Sequence, residues 1–326
     1  MRILSGIQPS GVLHIGNYFG MMKPAIALQA EGEALYFIAD YHALTSVRDP
    51  DALRENCRRV AVDFLASGLD PERATLFRHS DVPQVTELAW ILSTVAPMGL
   101  LERAHSYKDK LARGLSATVG LFSYPVLMAA DILIYDSDVV PVGKDQKQHI
   151  EMTRDLAVKM NEIFGKSEGD RQIFKLPEAR IQPATETVPG IDGQKMSKSY
   201  GNNIDIFGDE KEMRKRVMSI VTDSTPVEAS KDPAKSSIFK LYSLVASKNE
   251  NAAMREKFLK GGTGYGDFKK QLFEKLWEYF GPMRKRREEI LTDKSYIDSV
   301  LKKGATRANE IAEQVMKRVR EAVGLR

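Results

Sequence analysis

The sequence predicts an α/β fold, a doubly wound parallel sheet, in the first half of the chain and a smaller helical domain in the second. Up to about residue 185, short apolar runs suited to buried parallel strands alternate with long amphipathic segments. From residue 211 to about residue 295, strand-like alternation is absent and helical spacing dominates. A stretch rich in proline and glycine predicts a hinge between the two halves, at residues 186–204.

The first predicted elements are a strand at residues 3–7, a turn at residues 8–11 and a helix that begins near His14. Two further apolar runs, at residues 34–39 and 74–78, predict buried parallel strands. Strand, glycine-containing turn and helix start is the order in which nucleotide folds bind a phosphate.

The helix between the second and third strands has clear boundaries. Asp49 can cap its N-terminus, Pro50 suits its first position, and Gly68 follows it as a stop. Two more helical segments are predicted at residues 85–95 and 100–111.

The last segment of the chain, residues 305–323, predicts an amphipathic helix. Ala308, Ile311, Val315 and Val319 lie near helical spacing and would form one apolar face.

Composition limits the class of protein. The chain has 326 residues, 43% of them hydrophobic, which suffices for two domains with a sizeable core. The only cysteine, Cys57, excludes an internal disulfide, and we expect a buried or idle thiol on a helix. No apolar run reaches the roughly 18 residues of a membrane span, and the N-terminus begins a strand rather than a signal peptide. We therefore expect a cytoplasmic protein that contacts no membrane.

Charge is distributed unevenly. Residues 1–185 hold 20 Lys and Arg against 23 Asp and Glu, whereas residues 186–326 hold 28 against 21. The densest basic cluster is residues 284–287, and two glutamates follow it directly. A solvated helix face explains this cluster about as well as a contact with RNA. We expect charge reversal there to affect only a step that involves RNA, if it affects any.

The first motif with chemical meaning is His14-Ile15-Gly16-Asn17. Backbone N–H groups and the helix dipole at this point favour a phosphate, and Gly16 lets a purine or ribose approach the main chain. The second motif is the loop Lys195-Met196-Ser197-Lys198-Ser199, which lies between two glycines. Its cations can follow a moving pyrophosphate. Each motif alone has an ordinary interpretation, as a turn or as a surface loop, but their joint occurrence in this order favours a nucleotide-activation site.

A third feature is the segment from Tyr124 to Tyr135, which is apolar except for Asp131. On a helix, Tyr124, Met128, Asp131 and Tyr135 share one face. A buried acid on such a face needs a hydrogen-bond donor. The donor is either a neighbouring backbone group or a bound ligand.

At these motifs the chain resembles the class I aminoacyl-tRNA synthetases, which carry a His-Ile-Gly-His motif and a Lys-Met-Ser-Lys-Ser loop. The similarity to the bacterial tryptophanyl branch of that family extends in register to residues 8–11, 40–43, 124–131, 141–149 and 222–224. Three positions depart from the family pattern. Asn17 replaces the second histidine, Leu4 stands where phenylalanine is frequent, and Lys144 stands where an acid is usual.

The resemblance implies a domain organisation. It predicts a Rossmann-like catalytic domain at residues 1–185 with a helical insertion at about residues 82–119. The hinge and Lys-Met-Ser-Lys-Ser loop follow at residues 186–204. A helical anticodon-binding domain spans residues 205–295, and a C-terminal helix, residues 296–326, packs back on the catalytic domain.

The resemblance also assigns the reaction and its site. The carboxylate of tryptophan attacks the α-phosphorus of ATP, and the activated acyl group then passes to tRNA(Trp). Catalytic roles fall on Lys195, Lys198, Ser197, Lys110 and His14. The residues that match the ATP site are Gln8, Ser10, Gly16, Asn17, Gly143, Asp145, Lys195, Met196, Ser197 and Lys198. The residues that match the tryptophan site are Leu4, His42, Tyr124, Met128, Asp131, Val140, Val142 and Gln146.

In this assignment Asp131 accepts the indole N–H, and Gln146 and Tyr124 hold the α-amino group. Asp145 contacts the ribose. His42 lies at the polar rim of the pocket, whereas His79 is interpreted as structural. Magnesium accompanies ATP as part of the substrate complex, with no protein metal site and no permanent cofactor, and the family relationship implies a homodimer.

Three alternatives remain open at this stage. A tyrosyl-tRNA synthetase shares both motifs. A nucleotidyltransferase that joins AMP to a vitamin-like acid also uses a His-x-Gly-His site, although it needs no helical half. A non-catalytic RNA-binding paralogue would not require the intact Lys195, Lys198 and His14.

Overall fold

A five-stranded parallel sheet forms the centre of the first half of the chain. The computed structural model describes residues 1–9, 11–104, 118–143, 146–165, 172–181 and 188–325. The strands are β1 (Arg2–Ile7), β2 (Glu33–Ile38), β3 (Ala74–Arg78), β4 (Val139–Val142) and β5 (Glu178–Ile181), in the spatial order β3-β2-β1-β4-β5. The chain therefore changes direction across the sheet between β1 and β4. In sheets of this topology, ligands bind at the carboxyl ends of the strands beside that point. The predicted doubly wound α/β fold is confirmed.

Helices connect and cover the strands. In the first half they are α1 (Ile15–Asn17), α2 (Lys23–Ala27), α3 (Asp40–Ala43), α4 (Pro50–Ala66), α5 (Gln84–Ser93), α6 (Met98–Glu102), α7 (Val119–Leu133) and α8 (Lys147–Phe164). A π-helical turn, Tyr18–Met22, joins α1 to α2. The predicted start of α4 is confirmed, because Asp49 Oδ1 accepts from the backbone N–H groups of Asp51 at 2.9 Å and Ala52 at 3.3 Å.

The second half is helical, as predicted. It contains α9 (Glu210–Met218), α10 (Ser237–Val245), α11 (Lys248–Lys260), α12 (Tyr265–Thr292) and α13 (Lys294–Val323). Ser247 caps α11 and pairs reciprocally with Glu250, an arrangement that satisfies two N–H groups at the helix start. The division into domains at residues 185 and 205 stays a prediction.

Two hydrophobic cores lie on opposite faces of the sheet, because successive strand residues point to opposite sides. Ile7 and Tyr36 face the core that contains α4 and α9–α12. Leu35 and Phe37 face the core that contains α5, α7 and α8. Residues of α13 contribute to both cores, so this helix passes over the edge of the sheet at β3.

The crossing of α13 over β3 depends on a glycine. A β-carbon at Gly304 would collide with the carbonyl oxygen of Leu76 in β3. Arg320 of α13 also forms a two-pronged ion pair with Glu87 of α5, at 2.6 and 2.8 Å. The terminal helix is therefore held against the first half of the chain at both β3 and α5.

The structure also describes the surroundings of Cys57 and the apolar character of the helices. Cys57 is buried in α4, and burial raises the pKa of its thiol to about 11, so the thiol is unreactive near neutral pH. Among the described helices, none has the length and apolar character needed to cross a membrane.

Candidate active site

The two predicted nucleotide motifs lie against each other. The backbone N–H of Gly16 donates to the Sδ atom of Met196 at 3.3 Å. Main-chain bonds flank this contact, from Ile15 N to Ile204 O at 3.0 Å and from Ile206 N to Leu13 O at 3.1 Å. Residues beyond the lysine loop thus extend alongside the start of α1 and hold the two motifs together.

His14 closes the first turn of α1. Its Nδ1 atom accepts from Asn17 N at 3.2 Å, and the Asn17 amide oxygen accepts from His14 N at 3.5 Å. Burial, followed by the positive charge of Lys198, lowers the pKa of His14 to about 4. The imidazole is therefore neutral near pH 7, and this capping role requires the neutral form because Nδ1 is an acceptor.

At Gly16 the start of α1 lies in close contact with the lysine loop. A β-carbon there would lie 3.1 Å from the His14 ring and 3.2 Å from the Met196 Cβ atom. Such distances are tighter than ordinary carbon contacts. Any larger residue would push Met196 and the lysine loop away from α1.

Asn202 shapes the lysine loop from inside. Its side chain is buried, its Oδ1 atom accepts from Ser197 N at 2.7 Å, and its Nδ2 atom donates to Lys195 O at 3.1 Å and to Asp192 Oδ1 at 2.8 Å. Ser197 in turn caps the short 3-10 turn Lys198–Tyr200, since its Oγ atom accepts from Ser199 N. The loop is therefore a defined structure that presents exposed lysine side chains.

The two lysines of the loop differ in surroundings. Both are exposed, but the Lys198 ammonium reaches the glycine turn before His14 and would lie 3.2 Å from a β-carbon at Gly11. Desolvation by neighbouring atoms and repulsion from Arg59 lower the pKa of Lys198, although Asp205 opposes them. Lys198 thus places a cation beside the turn that was predicted to bind phosphate.

Asp131 lies at the centre of a second cluster, near the carboxyl ends of the strands. It is 1% exposed, and its Oδ2 atom lies 2.7 Å from His42 Nε2. Its Oδ1 atom lies 2.7 Å from His79 Nε2, an ion-pair contact whose direction is unfavourable for a hydrogen bond. Burial alone would raise the pKa of Asp131, but His79 and His42 outweigh burial and lower it, so the carboxylate is ionised.

Apolar side chains line the same side of the sheet. Leu4, Val140 and Val142 are buried in the core that contains Asp131's helix α7, and Met128 packs against that core while half-buried. The Phe37 ring covers Gly6, whose missing side chain leaves the room that this ring occupies. The predicted apolar wall residues therefore belong to one hydrophobic core.

The polar residues predicted to hold an α-amino group lie on α7, the helix that carries Asp131, and directly before α8. The Tyr124 hydroxyl lies 2.7 Å from His149 Nε2, and His149 is buried. Gln146 directly precedes α8, is half-buried, and donates its backbone N–H to Gly143 O at 3.0 Å. Gln8 and Gly143 are exposed at the ends of β1 and β4. Ser10, Lys110, Lys144 and Asp145 lie outside the described residues.

Two residues of the site were not predicted from the sequence. His79 was interpreted as structural, yet it contacts Asp131; its signal was its position directly after β3, at the carboxyl edge of the sheet. Asn202 follows the glycine that ends the lysine loop, and its role depends on three contacts that no local pattern reveals.

The basic cluster at residues 284–287 requires a correction. Arg287 Nε lies 2.8 Å from the buried Asp63 Oδ1 of α4, and the Arg284 guanidinium stacks on the Trp277 ring 3.4 Å from its centroid. Neither side chain is free for RNA or belongs to a purely solvated face. These contacts argue against the expectation that charge reversal of the whole cluster would affect only an RNA step. Lys285 and Arg286 are exposed.

Comparison with known proteins gives a consistent result. The profile of the family described as tRNA synthetases class I (W and Y) matches residues 1–281. The tryptophan–tRNA ligase of Fusobacterium nucleatum subsp. nucleatum is 53% identical over 324 residues, which are 99% of this chain and 98% of that protein. The tryptophan–tRNA ligase of Rhodopirellula baltica is 53% identical, with both chains covered completely.

Solved structures agree with the sequence relatives. The crystal structure of a tryptophanyl-tRNA synthetase from Campylobacter jejuni, complexed with ADP and tryptophan, is 50% identical and superposes with a TM-score of 0.94 over 100% of both chains. A second structure of the Campylobacter jejuni enzyme superposes with a TM-score of 0.90.

Proposed function

The chain belongs to the class I tRNA synthetases of the tryptophan and tyrosine group, and we propose that it is a tryptophan–tRNA ligase that activates L-tryptophan with ATP and transfers it to tRNA(Trp). The observation that carries this proposal is the contact between the two nucleotide motifs at Gly16 and Met196. It occurs in a chain that is 50% identical in sequence to a synthetase complexed with ADP and tryptophan.

The chemistry needs no nucleophile from the protein. The carboxylate of tryptophan attacks the α-phosphorus of ATP, the bond to the β-phosphate oxygen breaks, and pyrophosphate leaves. The 3′-terminal adenosine hydroxyl of tRNA then displaces AMP from the carbonyl carbon. Because the attacking carboxylate is already anionic, the protein acts by positioning the reactants and by neutralising charge.

Cations and backbone donors supply that neutralisation. Lys198 lies beside the glycine turn, and Lys195 extends from the same loop, so both are placed to follow the pyrophosphate. Ser197 adds a hydroxyl, and Gly16 and Asn17 present the start of α1 to the nucleotide. Each well-placed donor lowers the activation free energy by on the order of 2.7–4 kcal/mol. Lys110 and Asp145 keep the roles that the family resemblance gives them.

Magnesium enters with ATP. Within the described ranges, the compact group of potential metal ligands is His42, His79 and Asp131, which belongs to the amino-acid pocket and not to the lysine loop. Phosphate oxygens and water are therefore the ligands we assign to this ion, in keeping with the preference of magnesium for partial hydration.

The pocket favours an indole over a phenol. Asp131 is ionised and acts only as an acceptor, and the neighbouring walls, Leu4, Val140 and Val142, offer no polar side-chain atom. An indole N–H needs one acceptor. A phenol oxygen is both donor and acceptor, and Leu4, Val140 and Val142 offer no donor to its lone pairs. We therefore propose tryptophan as the substrate.

Partners follow from the reaction. The acceptor is tRNA(Trp), and the exposed Lys285 and Arg286 are candidate phosphate contacts. A homodimer is supported by large apolar side chains left uncovered near α5 to α7, where Trp90 is 72%, Met98 63% and Val119 81% exposed. Sedimentation equilibrium tests the dimer. Since translation takes place in the cytoplasm, we place the protein there.

Exchange of labelled pyrophosphate into ATP, measured with each of the twenty amino acids, tests the proposed function. We expect exchange with tryptophan alone. Exchange with tyrosine instead would identify the tyrosyl alternative, and silence with every amino acid would support a nucleotidyltransferase of a vitamin-like acid or a non-catalytic paralogue.

A further inference from the structure

Both oxygens of the Asp131 carboxylate already have imidazole neighbours. His42 Nε2 lies 2.7 Å from Oδ2, and His79 Nε2 lies 2.7 Å from Oδ1. An indole N–H that approaches this carboxylate therefore meets an imidazole beside either oxygen. Which histidine gives way decides which oxygen recognises the substrate.

The two histidines differ in freedom. The His79 side chain is 1% exposed, and rings enclose it on three sides: Phe37 at 5.2 Å, Tyr41 at 4.9 Å and His42 at 5.6 Å between centroids. The His42 side chain is 13% exposed and lies on the one-turn helix α3. Because close packing restrains buried rings, we expect His42 to move more readily than His79.

We propose that His79 is a positioning residue for substrate selection: it holds Oδ1 of Asp131 so that Oδ2, released by His42, accepts the indole N–H. The inference rests on the proposed function and deepens it. His79 does not touch the amino acid in this scheme. It acts through Asp131, whose orientation in an apolar pocket has no other fixed side-chain support among the residues that the structure describes.

Charge supports this arrangement. Burial lowers the pKa of His79, but Asp131, with Asp40 as a second carboxylate, outweighs burial and raises it. The other titratable groups that face His79 and Asp131 are His42, Tyr41 and Tyr135, and the Tyr135 pKa is raised far above its usual value, so its phenol is neutral. The raised pKa of His79 favours its protonated form, whose positive charge then faces the ionised Asp131.

The same three side chains also resemble a metal site, because their ligand atoms all lie within 4.8 Å of one another. Ligand atoms that surround Zn²⁺ at about 2.0–2.1 Å in a tetrahedron stand roughly 3.3 Å apart. The imidazole–carboxylate distances here are 2.7 Å, which matches direct contact and leaves no space for an ion between them. The geometry therefore favours a carboxylate held by imidazoles.

The test uses a substrate pair that differs only at the indole nitrogen, tryptophan and 3-benzothienylalanine, in which sulfur replaces N–H. Pyrophosphate exchange gives kcat/KM for each amino acid in wild type, H79L and H79Q. Wild type should prefer tryptophan roughly ten- to hundredfold, the range for a hydrogen bond to a charged group. H79L should lower this preference about tenfold by reducing only the tryptophan value, while H79Q, which keeps a donor at a similar reach, should restore most of it.

A purely structural role predicts a different pattern, in which H79L slows both amino acids equally and raises the KM for ATP; an unchanged preference in H79L would overturn the inference. Absence of exchange with tryptophan in wild type would refute the proposed function and this inference with it. If wild type prefers tryptophan and H79L shows the same preference, only the inference about His79 is refuted and the proposed function stands.

The pH profile provides a second readout, which remains available if H79L does not fold. In wild type the preference for tryptophan should fall as the pH rises through the raised pKa of His79, because the neutral imidazole holds the carboxylate less strongly. H79Q has no titrating group at this position and should lack that step. Identical profiles in the two proteins would contradict the proposal.

Discussion

The backbone N–H of Gly16 donates to the sulfur of Met196 at 3.3 Å, across 180 positions of sequence. This hydrogen bond connects the start of the first helix directly to the lysine loop. The loop therefore cannot change position without changing the environment of Gly16. We expect adenylate formation to depend on the fit between these two residues.

Replacement of Gly16 by alanine tests that fit. The new methyl group would lie 3.1–3.2 Å from the His14 ring and Met196 Cβ, so the loop must shift. Overpacking of this kind costs about 1–3 kcal/mol, and we expect kcat/KM for ATP to fall roughly five- to hundredfold. Gly20→Ala is the matched control, because a β-carbon there meets nothing within 4 Å. Equal kinetics in the two variants would show that the contact is unimportant.

Lys195→Ala should slow adenylate formation far more than it weakens tryptophan binding. A mobile cation acts on charge that develops in the transition state rather than on the bound amino acid. Pre-steady-state rates and equilibrium binding, measured on the same preparation, separate the two effects. Lys317→Ala, an exposed lysine of α13, serves as the control. If rate and affinity fell by the same factor, Lys195 would be a ground-state contact.

His14 makes stability depend on pH. Its folded pKa is lowered from 6.5 to about 4, so the unfolded chain binds more protons between these values. The stabilisation is complete above pH 6.5 and is lost as the pH falls towards 4, by up to about 3 kcal/mol. His14→Asn keeps a capping acceptor but does not titrate, and chemical denaturation of both proteins from pH 7 to 4 isolates the difference. Parallel pH profiles would contradict the assignment of a neutral, buried His14.

Arg287→Ala should destabilise the protein rather than act only on tRNA. It leaves Asp63 buried without its closest cation, and breaking a buried pair costs about 3 kcal/mol or more. Arg286→Ala, one position earlier and exposed, should leave the free energy of unfolding unchanged. The two variants are compared by urea denaturation and by tRNA charging over a salt series, in which a lost phosphate contact flattens the salt slope. An Arg287→Ala variant as stable as Arg286→Ala would be inconsistent with a structural pair.

Much of the fold was predictable because its signals are local. The boundaries of β3 at Ala74 and Arg78 match the apolar run. Asp49 and Pro50 mark the first turn of α4, because the capping hydrogen bonds of Asp49 and the fixed φ angle of Pro50 involve only residues close in sequence. The site motifs were recognisable by their order along the chain.

The contacts that sequence reasoning missed are long-range. Arg287 and Asp63 are 224 positions apart. In a helical sequence pattern, an arginine with a buried partner cannot be distinguished from an arginine in solvent. His79 and Asp131 belong to different elements, the turn after β3 and the helix α7, and neither segment alone reveals that they meet. Periodicity gives the face of a helix, and it does not give the partner of a single charged side chain.

The central claim is that an ionised Asp131 in an apolar pocket selects tryptophan, and its most direct test is kcat/KM for tryptophan and tyrosine in wild type and Asp131→Ala. Wild type should activate tryptophan and not tyrosine, and loss of the carboxylate should cost roughly 1.5–3 kcal/mol in tryptophan activation, the range for a hydrogen bond to a charged group. Equal use of both amino acids by wild type, or an Asp131→Ala variant as active on tryptophan as the parent, would contradict the claim.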